Sequence, residues 1–133
     1  MENMNQSYYT LDNGKSAIDY IYEAHLEFAY GNAFKYLCRA SRKPGNSAES
    51  DLNKALTYVL SADNEMSFIH RIAHKLYNMV TFNFNTQMCE HHLASVLKSI
   101  IRFERPSKIA KRIVKYAKWR GISVKPEFEK YGK

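Results

Sequence analysis

Apolar residues recur at three- and four-residue intervals along most of the chain, and this spacing predicts α-helices. The predicted helices cover residues 16–26, 27–42, 46–62, 65–80, 86–103 and 106–121. The break at 44–46 is short, so the second and third helices are expected to form an antiparallel hairpin. The alternating segment 81–85 predicts a brief extended linker. The pattern indicates an all-α fold, a compact bundle of five to six helices with a central helical hairpin.

Local signals indicate where several helices begin. Ser16 is expected to cap the first helix, and Asn46 with Glu49 is expected to form a capping box on the third. Pro106 suits the first turn of the sixth helix. The stripes expected to face the core are Met66, Ile69, Ile72, Ala73, Leu76 and Val80 in the fourth helix, and Ile109, Ala110, Ile113, Val114 and Ala117 in the sixth.

The length fits one helical domain over residues 1–122, followed by a flexible polar tail over 123–133. Within that domain, 7–62 holds the hairpin and 65–122 forms a basic helical half. Hydrophobic residues make up 45% of the chain, which supplies enough material for a core. No apolar run approaches the roughly 20 residues that span a bilayer, so no membrane partner is expected. The start of the chain does not resemble a signal peptide, which favours the cytoplasm.

The net charge of +7 is divided unevenly between the two halves of the chain. Residues 1–64 hold six basic and eight acidic side chains, whereas residues 65–133 hold fourteen basic and five acidic ones. The two halves of the chain are therefore expected to have different electrostatic roles.

The second predicted helix has two distinct faces. Its apolar face contains Phe34, Leu37, Cys38 and Ser41, and its opposite face contains Asn32, Lys35, Tyr36, Arg39 and Lys43. The opposite face carries hydrogen-bond donors and an aromatic ring but no acid, whereas a solvated helix face usually mixes charges. We therefore expect an exposed surface that binds an anionic, planar ligand.

The third helix adds to this surface across the hairpin. Asp51, Lys54 and Tyr58 are spaced i, i+3, i+7, so Lys54 and Tyr58 can face the basic side of the second helix. Cations match phosphate oxygens, and tyrosine rings can stack on a base. Asp51 is expected to hold Lys35 or Arg39 in place rather than to contact the ligand.

The same residues resemble the signature of the SaV-like family of small phage proteins, which includes a coliphage nucleotide kinase. The resemblance covers about residues 7–62 and rests on GNAFKYLCRASRK, a short linker, and DLNKALTY. Family members begin with a His-Tyr pair, for which this chain has Tyr8 and Tyr9. The resemblance implies a phage protein acting in the bacterial host cytoplasm, with Tyr8 and Tyr9 beside a nucleotide.

No residue is assigned a catalytic role. A Gly-rich phosphate loop is absent from the sequence, and Mg²⁺ would be needed only if the protein were a kinase. His70 and His74 have the i, i+4 spacing of metal ligands, but Arg71 and Lys75 beside them oppose a cation. Cys38 and Cys89 fit no metal spacing. No cofactor or metal site is expected.

The sixth helix carries a second basic surface, formed by Lys108, Lys111, Arg112 and Lys115. It can bind nucleic acid, act as a solvated helix face, or complete the phosphate site of a neighbouring subunit in a homo-oligomer.

The function expected overall is binding of a phosphorylated or cyclic nucleotide, with sequestration of a nucleotide immune signal to counter host defence. The alternatives are a deoxynucleoside monophosphate kinase, or a module that binds nucleic acid or a host protein through residues 106–120.

Overall fold

The structure is a computed structural model that describes residues 7–40, 42, 45, 47–62 and 68–133. Its α-helices are α1 (Ala17–Glu23), α2 (Phe28–Arg39), α3 (Ala48–Ser61), α4 (Phe68–Thr81), α5 (His91–Ile101) and α6 (Pro106–Trp119). Short 3₁₀ helices cover Ser7–Tyr9 and Pro126–Gly132. Across these described ranges, strand pairing is limited to one isolated bridge between Thr10 and Ser16. The all-α prediction is therefore confirmed.

The ends of α1 and α3 are set by serine caps. The Ser16 hydroxyl accepts a hydrogen bond from the Asp19 N–H, and the Asp19 carboxylate accepts one from the Ser16 N–H, which confirms Ser16 as the cap. At α3 the prediction of Asn46 was wrong. Ser47 is the cap, and its hydroxyl accepts from the Ser50 N–H at 3.0 Å. Asn46 itself lies outside the described residues.

α5 begins five residues later than the periodicity predicts. Glu90 caps it, because its carboxylate accepts hydrogen bonds from the N–H groups of His92 and Leu93. The preceding segment 82–90 is irregular rather than helical. No helix in the described ranges has both the length and the apolar character that crossing a membrane requires.

The core lies between α2, α3, α5 and α6. α2 buries Phe34, Leu37 and Cys38, as its apolar stripe predicts, and burial raises the pKa of the Cys38 thiol far above its usual range. Ser41, the last member of that stripe, lies outside the described residues. The stripe predicted for α6, from Ile109 to Ala117, is fully buried.

An ion pair joins α2 to α3 inside this core. Arg39 is 1% exposed, and its Nε donates to Oδ1 of Asp51, itself fully buried, at 3.1 Å. The Nη1 of Arg39 also donates to the Tyr9 hydroxyl at 3.1 Å. Arg39 ends α2 and Asp51 lies near the start of α3, so the two helices run antiparallel.

The orientation predicted for α4 was wrong. Ile69, Leu76 and Val80 were expected in the core, but they are 79%, 61% and 85% exposed. The helix instead directs Asn78 inward, where the side-chain amide donates to the carbonyl oxygens of Ala24 and Ile101 at 2.8 and 3.0 Å. The periodicity predicted the helix and its stripe correctly, but not the side that faces the core.

The segment predicted as a flexible tail, 123–133, packs against the helices. Phe128 is 7% exposed, and the Lys125 N–H donates to Oδ1 of Asn53 at 3.0 Å. The tail approaches α6 so closely that a Cβ on Gly132 would lie 2.7 Å from a methyl group of Val114. Phe128 supplies buried apolar contact to this docking, and the partly buried Val124 and Tyr131 add to it.

We expect Asp51→Ala to lower the free energy of unfolding by about 3–5 kcal/mol, because it leaves the Arg39 guanidinium buried without its carboxylate. Urea denaturation measures the change. Glu49→Ala removes an exposed carboxylate from the same helix and should cost less than about 1 kcal/mol. Equal losses in the two variants would show that the buried pair has no special weight in the fold.

Asn53→Ala should release the start of the tail, because the Lys125 N–H loses its acceptor. The expected cost is about 1 kcal/mol, and hydrogen exchange at the Lys125 amide should become faster. Thr57→Ala is the control, since the hydrogen bond from that hydroxyl to the Asn53 carbonyl lies within α3 and does not involve the tail. Unchanged exchange in Asn53→Ala would contradict the docking described above.

Candidate functional site

An open cleft of about 590 Å³ lies where α2 and α3 meet the C-terminal segment. Its described lining residues come from α2, from the first three turns of α3, and from the start of the tail. They are Tyr36, Ser47, Glu49, Ser50, Asn53, Lys54, Thr57, Tyr58 and Lys125.

Two tyrosine rings form one wall of the cleft. The Tyr36 and Tyr58 rings are nearly parallel, with an interplanar angle of 12° and centroids 5.8 Å apart. Phe28 meets Tyr58 edge-on at 5.9 Å. Such an aromatic wall offers flat apolar faces beside the polar groups of α3.

Three cations surround the Tyr36 ring. The Lys35 and Lys54 ammonium nitrogens lie 4.6 and 5.4 Å from its centroid, and the Arg39 guanidinium carbon lies at 4.5 Å. Each is within the range of a cation–π interaction. The Tyr36 ring therefore lies in a positively charged environment. Arg39 contributes to it from the core and is not among the described residues that line the cleft.

The α3 side of the cleft is polar. Ser50, Lys54 and Thr57 follow one another at i, i+4, i+7 and share a helix face. The C-terminal segment contributes Lys125, and the first turn of α3, with its partial positive charge, also borders the cleft. Glu49 is the single acid among the described lining residues. The cleft thus combines two lysines, three aliphatic hydroxyls counting Ser47, and an aromatic wall.

The structure brings together only part of the predicted ligand-binding set. Tyr36, Lys54 and Tyr58 line the cleft, and Lys35 lies against the Tyr36 ring. Asn32 is half-buried and donates to the Phe28 carbonyl within α2, away from the described lining. Lys43 lies outside the described residues.

Arg39, Tyr9 and Tyr8 occupy different surroundings from those predicted. Arg39 was expected on an exposed face but lies in the core, because Asp51 and the Tyr9 hydroxyl satisfy its donors. Tyr9 is fully buried, and the Tyr8 ring packs on it at 4.6 Å. The prediction that Asp51 holds a neighbouring cation is confirmed for Arg39.

Six of the described lining residues were not predicted as site residues, and they are Ser47, Glu49, Ser50, Asn53, Thr57 and Lys125. Ser50 and Thr57 share the helical spacing of Lys54, so periodicity on α3 contained the signal for both. Lys125 follows Asn53 by 72 residues, and no local pattern connects them. Only the docking of the tail places Lys125 at the cleft.

The described residues contain no group of three His, Cys, Asp or Glu side chains placed to hold a metal ion. The rings of His70 and His74 meet edge-to-face at 5.2 Å. Burial, with the nearby rings of His70 and His25, lowers the pKa of His74 and favours its neutral form. A Mg²⁺ ion at the cleft would find one carboxylate, Glu49, and would depend on ligand phosphates for its other contacts.

The basic surface of α6 is distinct from the cleft lining. Lys108, Lys111 and Lys115 are exposed, and Lys108 and Arg112 lie 3.8 and 3.3 Å from a carboxylate oxygen of Glu104. Trp119, the last residue of α6, stacks on His92 at the start of α5, with ring centroids 3.7 Å apart.

A family model described as a protein of unknown function, DUF3310, matches residues 5–60. This match spans less than half of the 133 residues and contains α1, α2 and most of α3. No curated protein and no solved structure matches the chain. The segment similar to the DUF3310 family therefore includes every described lining residue of the cleft except Lys125.

Proposed function

We propose that the cleft binds a phosphorylated nucleotide, linear or cyclic, and that the protein sequesters it without turning it over. The observation that carries this proposal is the nearly parallel Tyr36–Tyr58 pair with the Lys54 ammonium group beside it. A flat apolar face next to a cation matches the two halves of a nucleotide, its base and its phosphate.

The base stacks on the tyrosine wall. Stacking of a base on an aromatic side chain contributes about 1–3 kcal/mol and tolerates any base, because every base has a π-face. The volume of about 590 Å³ suits a ligand of nucleotide size. Phe28 meets Tyr58 edge-on and extends the aromatic surface beyond the wall.

The phosphate lies between Lys54 and Lys125, near the N-terminal end of α3. Ammonium groups and hydroxyls such as that of Ser50 supply the donors that phosphate oxygens need. Behind the wall, Arg39 holds the Tyr36 ring by cation–π contact and remains paired with Asp51. Arg39 is thus a positioning residue in this proposal rather than a ligand contact.

Sequestration is favoured over catalysis because the described lining offers a single carboxylate, Glu49, for a metal. In this proposal a phage-encoded protein in the bacterial cytoplasm removes a nucleotide signal of host immunity. The resemblance to the SaV-like family supports the phage setting, and it also supports the alternative, a deoxynucleoside monophosphate kinase that uses Mg²⁺. The helices form a compact bundle around the α2–α3 hairpin, which keeps the cleft in shape.

The α6 surface supports a second candidate function, the binding of nucleic acid or of an acidic host protein. Lys111 and Lys115 are exposed on one face, and Trp119 is 53% exposed at its end. Phosphate contacts require such a stripe, and an exposed indole can stack on a base.

Lys54→Ala should weaken nucleotide binding about 10- to 150-fold, the effect of losing a charged hydrogen bond of about 1.5–3 kcal/mol. Its thermal stability should stay close to that of the wild type, because Lys54 is exposed. Isothermal titration with nucleoside phosphates and cyclic dinucleotides provides the measurement.

Lys111→Ala is the matched control, since it removes an exposed lysine from α6 and should leave the affinity unchanged. If Lys54→Ala and Lys125→Ala together bind every ligand as tightly as the wild type, the cleft is not the site. If only Lys111→Ala weakens binding, the site is on α6.

Turnover separates sequestration from the kinase alternative. Incubated with Mg-ATP and nucleoside monophosphates, the protein should form no diphosphate above background, and bound ligand should be recovered intact after denaturation by mass spectrometry. Sustained diphosphate formation that is lost in Lys54→Ala would make the protein an enzyme and would retain the cleft as its site.

A further inference from the structure

α4 presents its apolar side to solvent along its whole length. The large apolar side chains on that side are 41–85% exposed, and they are Phe68, Ile69, Ile72, Leu76, Met79 and Val80. Together with Ala73 they cover about 140° of the helix circumference at 3.6 residues per turn. Monomeric proteins rarely leave a contiguous apolar patch larger than a few hundred Å² uncovered.

The polar side of α4 is fixed against the protein's own core. Asn78 is 1% exposed and bridges the carbonyl oxygens of Ala24 at the end of α1 and Ile101 at the end of α5. One helical turn earlier, the His74 ring packs on Phe103 with centroids 5.1 Å apart. These positions lie roughly opposite the apolar stripe.

Rotating α4 about its axis would not bury the stripe at an acceptable cost. Such a rotation would break both hydrogen bonds of the Asn78 amide and leave two carbonyl oxygens at helix ends without that donor. Leaving buried polar groups unpaired costs about 1–3 kcal/mol each. Within the described part of the chain the apolar stripe thus stays exposed to solvent, which leaves it available to a partner molecule.

The spacing of the stripe indicates what covers it. Ile69, Ile72, Leu76 and Met79 follow one another at intervals of three, four and three residues, the a and d positions of a heptad. This spacing lets two identical helices pack knobs into holes, and a twofold axis presents the same patch from both copies. Phe68 and Val80 flank the seam and extend it.

The size of the patch agrees with this partner. A standard interface takes roughly 800 Å² from each side, and six large side chains with these exposures supply most of that area. Charge does not oppose the contact along the seam, because the cations of α4, Arg71 and Lys75, lie outside the a and d positions.

We propose that the protein forms a homodimer in which α4 of one copy packs on α4 of the second copy. Residues 69, 72, 76 and 79 form the seam, and Asn78 keeps it facing the partner. The clefts lie on other elements, so the interface does not depend on the proposed nucleotide function.

Light scattering of the full chain after gel filtration tests the dimer. The wild type should have twice the chain mass of 15.5 kDa. Ile69→Glu with Leu76→Glu should halve this mass and keep the helical circular dichroism, because both side chains are exposed within one copy. Tyr22→Glu, at an exposed aromatic residue of α1, should leave the mass unchanged.

Cross-linking tests the seam itself. Ile72→Cys should form an intermolecular disulfide under mild oxidation if the helices are parallel, and a mixture of Ile72→Cys and Leu76→Cys chains should do so if they are antiparallel. The native Cys89 thiol should interfere little, because burial raises its pKa to about 12. Either cross-link supports the proposal.

Two results would overturn it. One is a wild-type mass of a single chain throughout a concentration series. The other is a dimer that survives Ile69→Glu with Leu76→Glu. A monomer that binds vesicles of anionic phospholipid, and loses that binding in the double variant, would instead identify a membrane surface as what covers α4.

Discussion

The buried pair of Arg39 and Asp51 is the interaction on which the arrangement of the first half of the chain depends. A guanidinium in the core is costly unless its donors are satisfied, and here a carboxylate from α3 and the Tyr9 hydroxyl satisfy them. The pair therefore specifies the contact between α2, α3 and the N-terminal 3₁₀ helix. The second carboxylate oxygen of Asp51 has no hydrogen-bond partner within the described part of the chain.

The same arginine connects the core to the cleft. Its guanidinium packs on the face of Tyr36, whose ring forms one wall of the proposed site. The sequence suggests that Arg39 binds phosphate directly. In the structure it lies beneath the cleft and holds the Tyr36 ring that a ligand would contact. The cleft is completed from a distance, because Asn53 holds the backbone of Lys125 beside α3.

α4 obeys a different constraint from the other helices. Its apolar stripe is as regular as that of α6, yet α6 is sealed in the core while α4 is attached through the amide of Asn78. A short polar anchor with a long apolar face outside is an unfavourable arrangement for a single chain in water. It becomes favourable once a second surface covers the stripe.

The sequence by itself determined which segments form the helices α1 to α6, though not the start of α5, because periodicity depends only on neighbours three and four residues apart. It also determined the inner faces of α2 and α6, the cap at Ser16, and the role of Asp51 as the partner of a nearby cation. It did not determine which way α4 faces, since periodicity defines a stripe but not the body that covers it. It placed Arg39 at the surface, because helical spacing assigned this residue to the polar face and does not show that its charge is buried. Lys125 joins the cleft, and Tyr9 joins the ion pair, only through contacts between distant segments. The tertiary structure decided those contacts. It also decided that pairing with Asp51 compensates the desolvation of the Arg39 charge.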